Sequence, residues 1–303
     1  MKPRVIVPGT VHHVVQRTLG GVLLFYDTSD YLVFFTLYCA TARKMGVRVL
    51  ALCPMPDHLH QAVVVEDARQ LAAFIRTYSR GFALEWNHSR GRKGPLFRHP
   101  YGVSAKRSQK AVRTTLAYVN NNPVERKLTL RAEDYRWTFL SYYRNPHPHS
   151  VPPRCVNRLP TVLRNILHQA DACRRRGGYV SYSMLDRWQS QLEGPQRQLL
   201  CDYLISTWNA IDYEGAIAYY GSMDALLDAF RNNTGAEHEI QEEKDPYSDA
   251  VYAECSQLLS RYGAVDSLRE IPMLDSRRKA ALYRLLCSRT AARQKQIQKF
   301  LHL

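Results

Sequence analysis

The chain has no apolar run approaching the roughly 18 residues that a membrane-crossing helix needs. Its start, Met1-Lys2-Pro3-Arg4, leads into a strand pattern without an apolar signal core, so the expectation is a cytosolic protein. It also has no CxxC pair. The seven cysteines, Cys39, Cys53, Cys155, Cys173, Cys201, Cys255 and Cys287, are odd in number and widely scattered, which argues against a disulfide framework and for reduced, mostly buried thiols. No polybasic helix with a long apolar face is present, which speaks against a membrane-surface protein. Acidic residues are scarce: 27 Asp and Glu stand against 42 Lys and Arg in 303 residues. The imbalance lies in residues 1–150, with 22 basic and 9 acidic side chains; the remainder, with 20 and 18, is almost neutral. A basic first half points to a polyanionic partner, because phosphate neutralisation with counterion release dominates nucleic-acid affinity.

Within that half, Pro54-Met55-Pro56-Asp57 reads as a corner leading into a strand, His58-Leu59-His60-Gln61-Ala62-Val63-Val64-Val65. Strand side chains alternate faces, so His58 and His60 project together while Leu59, Val63 and Val65 continue an apolar row on the other side. Two parallel imidazoles suit a divalent metal, although a site needs further ligands. An isolated HxH is equally a hydrogen-bonded pair at a sheet edge. Further on, Lys110 to Asn122 has helical periodicity, with Val112, Leu116 and Val119 on one face, and is expected to stop at Pro123. Tyr118 and Asn122, four apart, share a helix face and could meet whatever the histidines bind. The plainer reading is a boundary tyrosine followed by a capping asparagine.

His58-Leu59-His60 resembles the His-hydrophobic-His (HUH) motif, and Tyr118-Val119-Asn120-Asn121-Asn122-Pro123-Val124 resembles the tyrosine helix of single-tyrosine HUH transposases, most nearly the REP-associated tyrosine transposases. Pro8-Gly9 before His13-Val14-Val15-Gln16-Arg17, then Met55-Pro56, Gly94-Pro95-Leu96-Phe97-Arg98, Trp137 and Ser141-Tyr142 follow in matching order, so the resemblance spans about residues 4–144. Asp57 departs from the usual Asn, and Asn120-Asn121 from a bulkier or charged pair. The resemblance implies Tyr118 as a nucleophile forming a 5′-phosphotyrosine, and His58, His60 and Asn122 holding Mg²⁺ or Mn²⁺. It also implies hairpin-bearing single-stranded DNA as substrate and an RNA-recognition-like palm, in proteins that are either monomers or homodimers trading tyrosine helices. Arg17, Arg90, Arg92, Lys93, Arg98, Lys106, Arg107, Lys110 and Arg113 are candidate phosphate contacts. A hairpin-binding protein without cleavage activity is the alternative, and a metallohydrolase using HxH a further one.

The expected fold is α+β, an antiparallel sheet with helices on one face, followed by an all-α accessory domain. Strands are expected at Val11–Gln16, Val47–Cys53, the histidine segment and Leu96–Val103. Helices are expected at Tyr31–Lys44, capped at Thr28 or Ser29 and closed by Gly46, and at Ala68–Asn87. Five prolines at 146, 148, 152, 153 and 160 mark a linker over 146–160, giving a first domain of 1–145 and a helical one of 161–303. His147 and His149, separated by proline, are assigned no metal. The acidic stretch Gly235–Asp249 reads as a solvated connection, since its spacing fits no calcium loop. Two basic helices, Arg277–Cys287 and Ala291–Leu301, resemble the opening of a helix-turn-helix without its recognition helix.

Overall fold

A computed structural model describes residues 5–152, 159–232 and 248–303. Four strands, β1 (Val11–Arg17), β2 (Arg48–Met55), β3 (His58–Val64) and β4 (Gly102–Lys106), form one antiparallel sheet in the order β2-β3-β1-β4. Between β1 and β2 lies α1 (Thr28–Met45); α2 (Ala68–Arg90) follows β3, and α3 (Gln109–Glu125) follows β4. The α+β class is as read. The helices, however, cover both faces of the sheet and not one. The reason is visible on β3, whose two faces are both buried: Leu59 and Val63 join a core with α1 and α2, while Ala62 joins another with Leu116 and Val119 of α3.

The α1/α2 face also carries a buried polar chain. Tyr38 donates to Gln61 Oε1 (2.6 Å), Gln61 Nε2 to the Tyr78 hydroxyl (2.7 Å), Tyr78 to Gln16 Oε1 (3.1 Å), and Gln16 Nε2 to Ser79 Oγ (2.8 Å). Every member is satisfied, as burial demands. The stripe Leu71, Phe74, Ile75, Tyr78, Phe82 and Trp86 of α2 lies in the core as its spacing predicts. Helix α1 is capped by Asp27, whose carboxylate accepts from Asp30 N–H, and not by Thr28 or Ser29; Gly46 ends it at φ 64°.

Two boundaries differ from expectation. The fourth strand begins at Gly102, because Leu96 and Phe97 are buried in a loop tied to the end of β1 by Leu19 N–H to Leu96 O (2.7 Å) and Arg98 N–H to Arg17 O (2.8 Å). And α3 runs through Pro123 to Glu125. Proline removes one ladder bond, but Arg126 N–H still reaches Asn122 O (2.9 Å), and the Asn120 and Asn122 side chains bond the carbonyls of Leu116 (2.8 Å) and Tyr118 (3.0 Å).

Beyond the sheet the described residues are helical: α4 (Thr161–Arg175), α5 (Tyr182–Gln189), α6 (Gly194–Trp208), α7 (Tyr213–Ile217), α8 (Met223–Asn232), α9 (Ala250–Arg261), α10 (Ser276–Arg289) and α11 (Gln294–Leu301). Their side chains enter both cores, Trp188, Trp208 and Phe300 beside α1 and α2, and Ile217, Leu226 and Phe230 beside α3. Of the proline-rich stretch, 153–158 lie outside the described residues, as do 233–247 of the acidic one. Among the described residues no helix is long and apolar enough to cross a membrane.

Candidate active site

β3 starts at the corner closing the β2–β3 hairpin, which sets Met55 opposite His58 and Cys53 opposite His60. On its other side β1 sets Arg17 opposite His58, Val15 opposite His60 and His13 opposite Ala62. The alternation therefore brings His13, His58 and His60 onto the face that α3 covers. The rings of His58 and His60 meet edge to face at 4.8 Å between centroids. His60 Nδ1 lies 3.2 Å from His13 Nε2, and His58 Nδ1 lies 2.6 Å from Asp57 Oδ1. Each paired histidine is thus engaged through Nδ1. Ligation through Nε2 is the arrangement compatible with both bonds, and a neighbour on the other nitrogen is what orients a ligating imidazole.

Helix α3 carries Tyr118 over this group. Its ring stands edge-on to His60 at 5.5 Å and 87°, and to His13 at 5.6 Å and 74°. The tyrosine and the histidines belong to one chain. One turn later Asn122 commits its amide nitrogen to Tyr118 O, which leaves Oδ1 as its accepting end. Both residues are buried. Among the described residues no three His, Cys, Asp or Glu side chains are grouped to hold a metal ion.

Electrostatics favour neutral imidazole at His60. Burial lowers its pKa well below the ordinary histidine value, and the nearby charges of His58, His13, Arg17 and Arg126 act in the same direction. Burial would raise Asp57, yet His58 and Lys299 outweigh it and hold this carboxyl well below the usual range. Lys299 Nζ sits 2.6 Å from Asp57 Oδ2. Asp249 is buried too, and Oδ2 has no hydrogen-bond partner among the described residues. Burial and the Asp57 charge push its pKa up to about 6 against the pull of Arg126, His58 and Lys299.

The candidate phosphate contacts divide. Lys93, Arg98, Arg107, Lys110 and Arg113 are exposed, and Arg17 is half-buried at the site. Arg92 holds its loop through Asn87 Oδ1 (2.9 Å). Arg90 is a correction: it is fully buried, paired with Asp30 at 2.6 Å and lying over the Trp86 ring at 4.0 Å, so it serves the core. Lys106 is a second correction, because as the last residue of β4, opposite Val11, it is buried and offers no surface to a phosphate. His13, Arg126, Asp249 and Lys299 were not read from sequence. A signal existed for His13, a polar residue on the same alternation as Arg17 in an apolar strand, and for Arg126, which continues the four-residue spacing of Tyr118 and Asn122 at the end of α3; none existed for Asp249 and Lys299, which arrive from remote segments. Asp249 corrects the solvated reading at the end of its acidic stretch.

No protein-family model matches this chain, and no curated protein matches it. Among solved structures it is similar to the structure of a REP-associated tyrosine transposase bound to a REP hairpin, at 16% identity and a TM-score of 0.41, over 50% of this chain and 88% of that one.

Proposed function

We propose that this protein is a metal-dependent nuclease and strand transferase acting on hairpin-bearing single-stranded DNA, with Tyr118 as its nucleophile. The observation that carries the reading is the stacking of Tyr118 edge-on to His60 and His13, beside His58, inside one chain. A phenol of pKa near 10 is about one part in a thousand ionised at pH 7, so it needs a site that stabilises its attack. The Tyr118 oxygen forms a bond to phosphorus as the bond from phosphorus to the 3′ oxygen breaks. The phenol gives up its proton and the 3′ oxygen gains one, leaving a 5′-phosphotyrosine and a free 3′-hydroxyl. A second 3′-hydroxyl reverses the step and joins strands without ATP.

His58 and His60, through Nε2, and Asn122, through Oδ1, are the residues that would hold the metal. When bound, Mg²⁺ or Mn²⁺ would neutralise charge on the scissile phosphate, and two imidazoles favour Mn²⁺ on ligand softness. Burial keeps His60 in the neutral form that ligation requires. The exposed Lys93, Arg98, Arg107, Lys110 and Arg113 would track the DNA backbone without reading bases. In this reading the nucleophile and the metal-holding residues come from 1–145, and the helices of 161–303 are accessory to them, packed into both cores of the sheet.

The test is incubation with Mn²⁺ or Mg²⁺ and a labelled hairpin oligonucleotide from the flanks of the gene, resolved on a denaturing gel. A covalent band that disappears with EDTA and in Tyr118→Phe, while hairpin affinity survives, supports the nuclease. Tight binding without a covalent species across several flanking hairpins refutes it in favour of a hairpin-binding protein.

A further inference from the structure

We infer that Asp57 and Lys299 are positioning residues for His58, so that the C-terminal helix α11 supplies part of the candidate active site. The inference rests on the reading of His58 as a metal ligand. One carboxylate serves both neighbours: Oδ1 accepts from His58 Nδ1 at 2.6 Å and Oδ2 accepts from Lys299 Nζ at 2.6 Å. Held at one oxygen, an Asp side chain at a corner can still swing about its terminal torsion, which is broad and two-fold. Held at both, its plane is fixed, and with it the proton on His58 Nδ1. That leaves Nε2 unprotonated and directed, which is how a carboxylate behind a ligating histidine sets its tautomer and raises its basicity.

The anchor is itself anchored. Lys299 offers its carbonyl to Leu23 N–H (3.2 Å), Phe300 O accepts from the Tyr26 hydroxyl (2.6 Å), and His302 Nε2 bonds Leu23 O (3.0 Å). The same segment grips the corner, since Leu24 and Phe25 N–H both reach Pro56 O (2.8 and 3.1 Å). Helix α11 and the Pro56-Asp57 corner are therefore fastened to one short strip of backbone. An ordinary surface ion pair has no such frame. It leaves both partners exposed, whereas Asp57 here is 14% exposed and Lys299 26%.

The experiment uses the full chain with Mn²⁺ alone and no DNA. Mn²⁺ affinity is measured by electron paramagnetic resonance for wild type, Asp57→Ala, Lys299→Met and Lys299→Arg, alongside the His58 tautomer from long-range ¹H–¹⁵N correlation at mildly alkaline pH. Wild type is expected to carry its His58 proton on Nδ1. Asp57→Ala and Lys299→Met are expected to lose about ten- to a hundredfold in Mn²⁺ affinity with a mixed tautomer, and Lys299→Arg to retain both properties. A wild-type proton on Nε2, or unchanged affinity and tautomer in both damaging variants, overturns the inference. The tautomer of the wild-type protein requires no variant to fold. If wild type binds no Mn²⁺, the metal reading fails, and the tautomer in Lys299→Met still decides what Asp57 and Lys299 do. A covalent DNA adduct is not part of the readout, so failure of the nuclease reading is seen separately.

Discussion

Replacing Arg90 by Met should destabilise the fold and leave DNA affinity intact, although Arg90 lies in a segment that reads as basic and DNA-facing. Asp30 is completely buried and accepts from Arg90 (2.6 Å), the Tyr182 hydroxyl and Tyr26 N–H (2.8 Å). Burial alone would lower the Arg90 pKa, but Asp30 and the Tyr182 oxygen raise it above the ordinary guanidinium value. Removing the guanidinium strands a carboxylate in the core, which costs about 3–5 kcal/mol. At about 2.1 cal/mol/K per residue, 303 residues give an unfolding entropy near ~0.6 kcal/mol/K, so the melting temperature should fall by about 5–8 °C. Circular dichroism measures the first quantity and fluorescence anisotropy with a hairpin oligonucleotide the second. Asp30→Asn combined with Arg90→Met should recover part of the loss, since the double change leaves no unpaired charge. A variant that melts like wild type yet binds DNA more weakly, with a shallower salt dependence, would refute the assignment of Arg90 to the core.

The surface cations should behave in the opposite way. Lys110→Ala should reduce the slope of log affinity against log salt by about 0.7 for single-stranded DNA without changing the melting temperature, whereas Lys106→Ala should lower the melting temperature and leave the slope alone. His302 predicts a pH dependence of stability: burial first, with help from Lys279, Arg92 and Arg90, lowers its pKa from 6.5 to about 4. The unfolded chain then binds a proton that the folded one refuses, so stability present above pH 6.5 should be lost as pH falls from 6.5 toward 4, by up to about 3 kcal/mol. Urea titrations of wild type and His302→Gln across that window test this, and equal pH profiles for the two would exclude it.

The parts of this molecule that could be read from sequence are those in which local pattern and burial coincide. Alternation along β3 predicts that His58 and His60 share a face, and the 3.6-residue stripe predicts the core side of α2. Tyr118 and Asn122 sit one turn apart on α3 because spacing within a helix is a local property. The failures are equally physical. Pro123 marks a lost hydrogen bond to Val119 O, but one missing bond does not end the helix, because the ladder resumes beyond it with Arg126 N–H on Asn122 O (2.9 Å). Charge identifies Arg90 and Lys106 as cations without telling which of them a distant residue will cover. Lys299 lies 242 positions from Asp57, and no local pattern announces such a contact.

The buried chain of Tyr38, Gln61, Tyr78, Gln16 and Ser79 has a consequence for which errors the fold can tolerate. A slip of β3 by one residue would turn every one of its side chains to the opposite face. His58 and His60 would then point into the core of α1 and α2, and the departure of Gln61 would leave the buried Tyr38 hydroxyl without its acceptor and the Tyr78 hydroxyl without its donor. Either fault alone would be costly, and the strand would suffer both at once. A misregistered molecule would thus lose stability together with its histidine face, so the register that places His58 and His60 under α3 is also the register that the fold favours. The polar residues on the far side of the strand act as a proofreading device for the histidines on the near side.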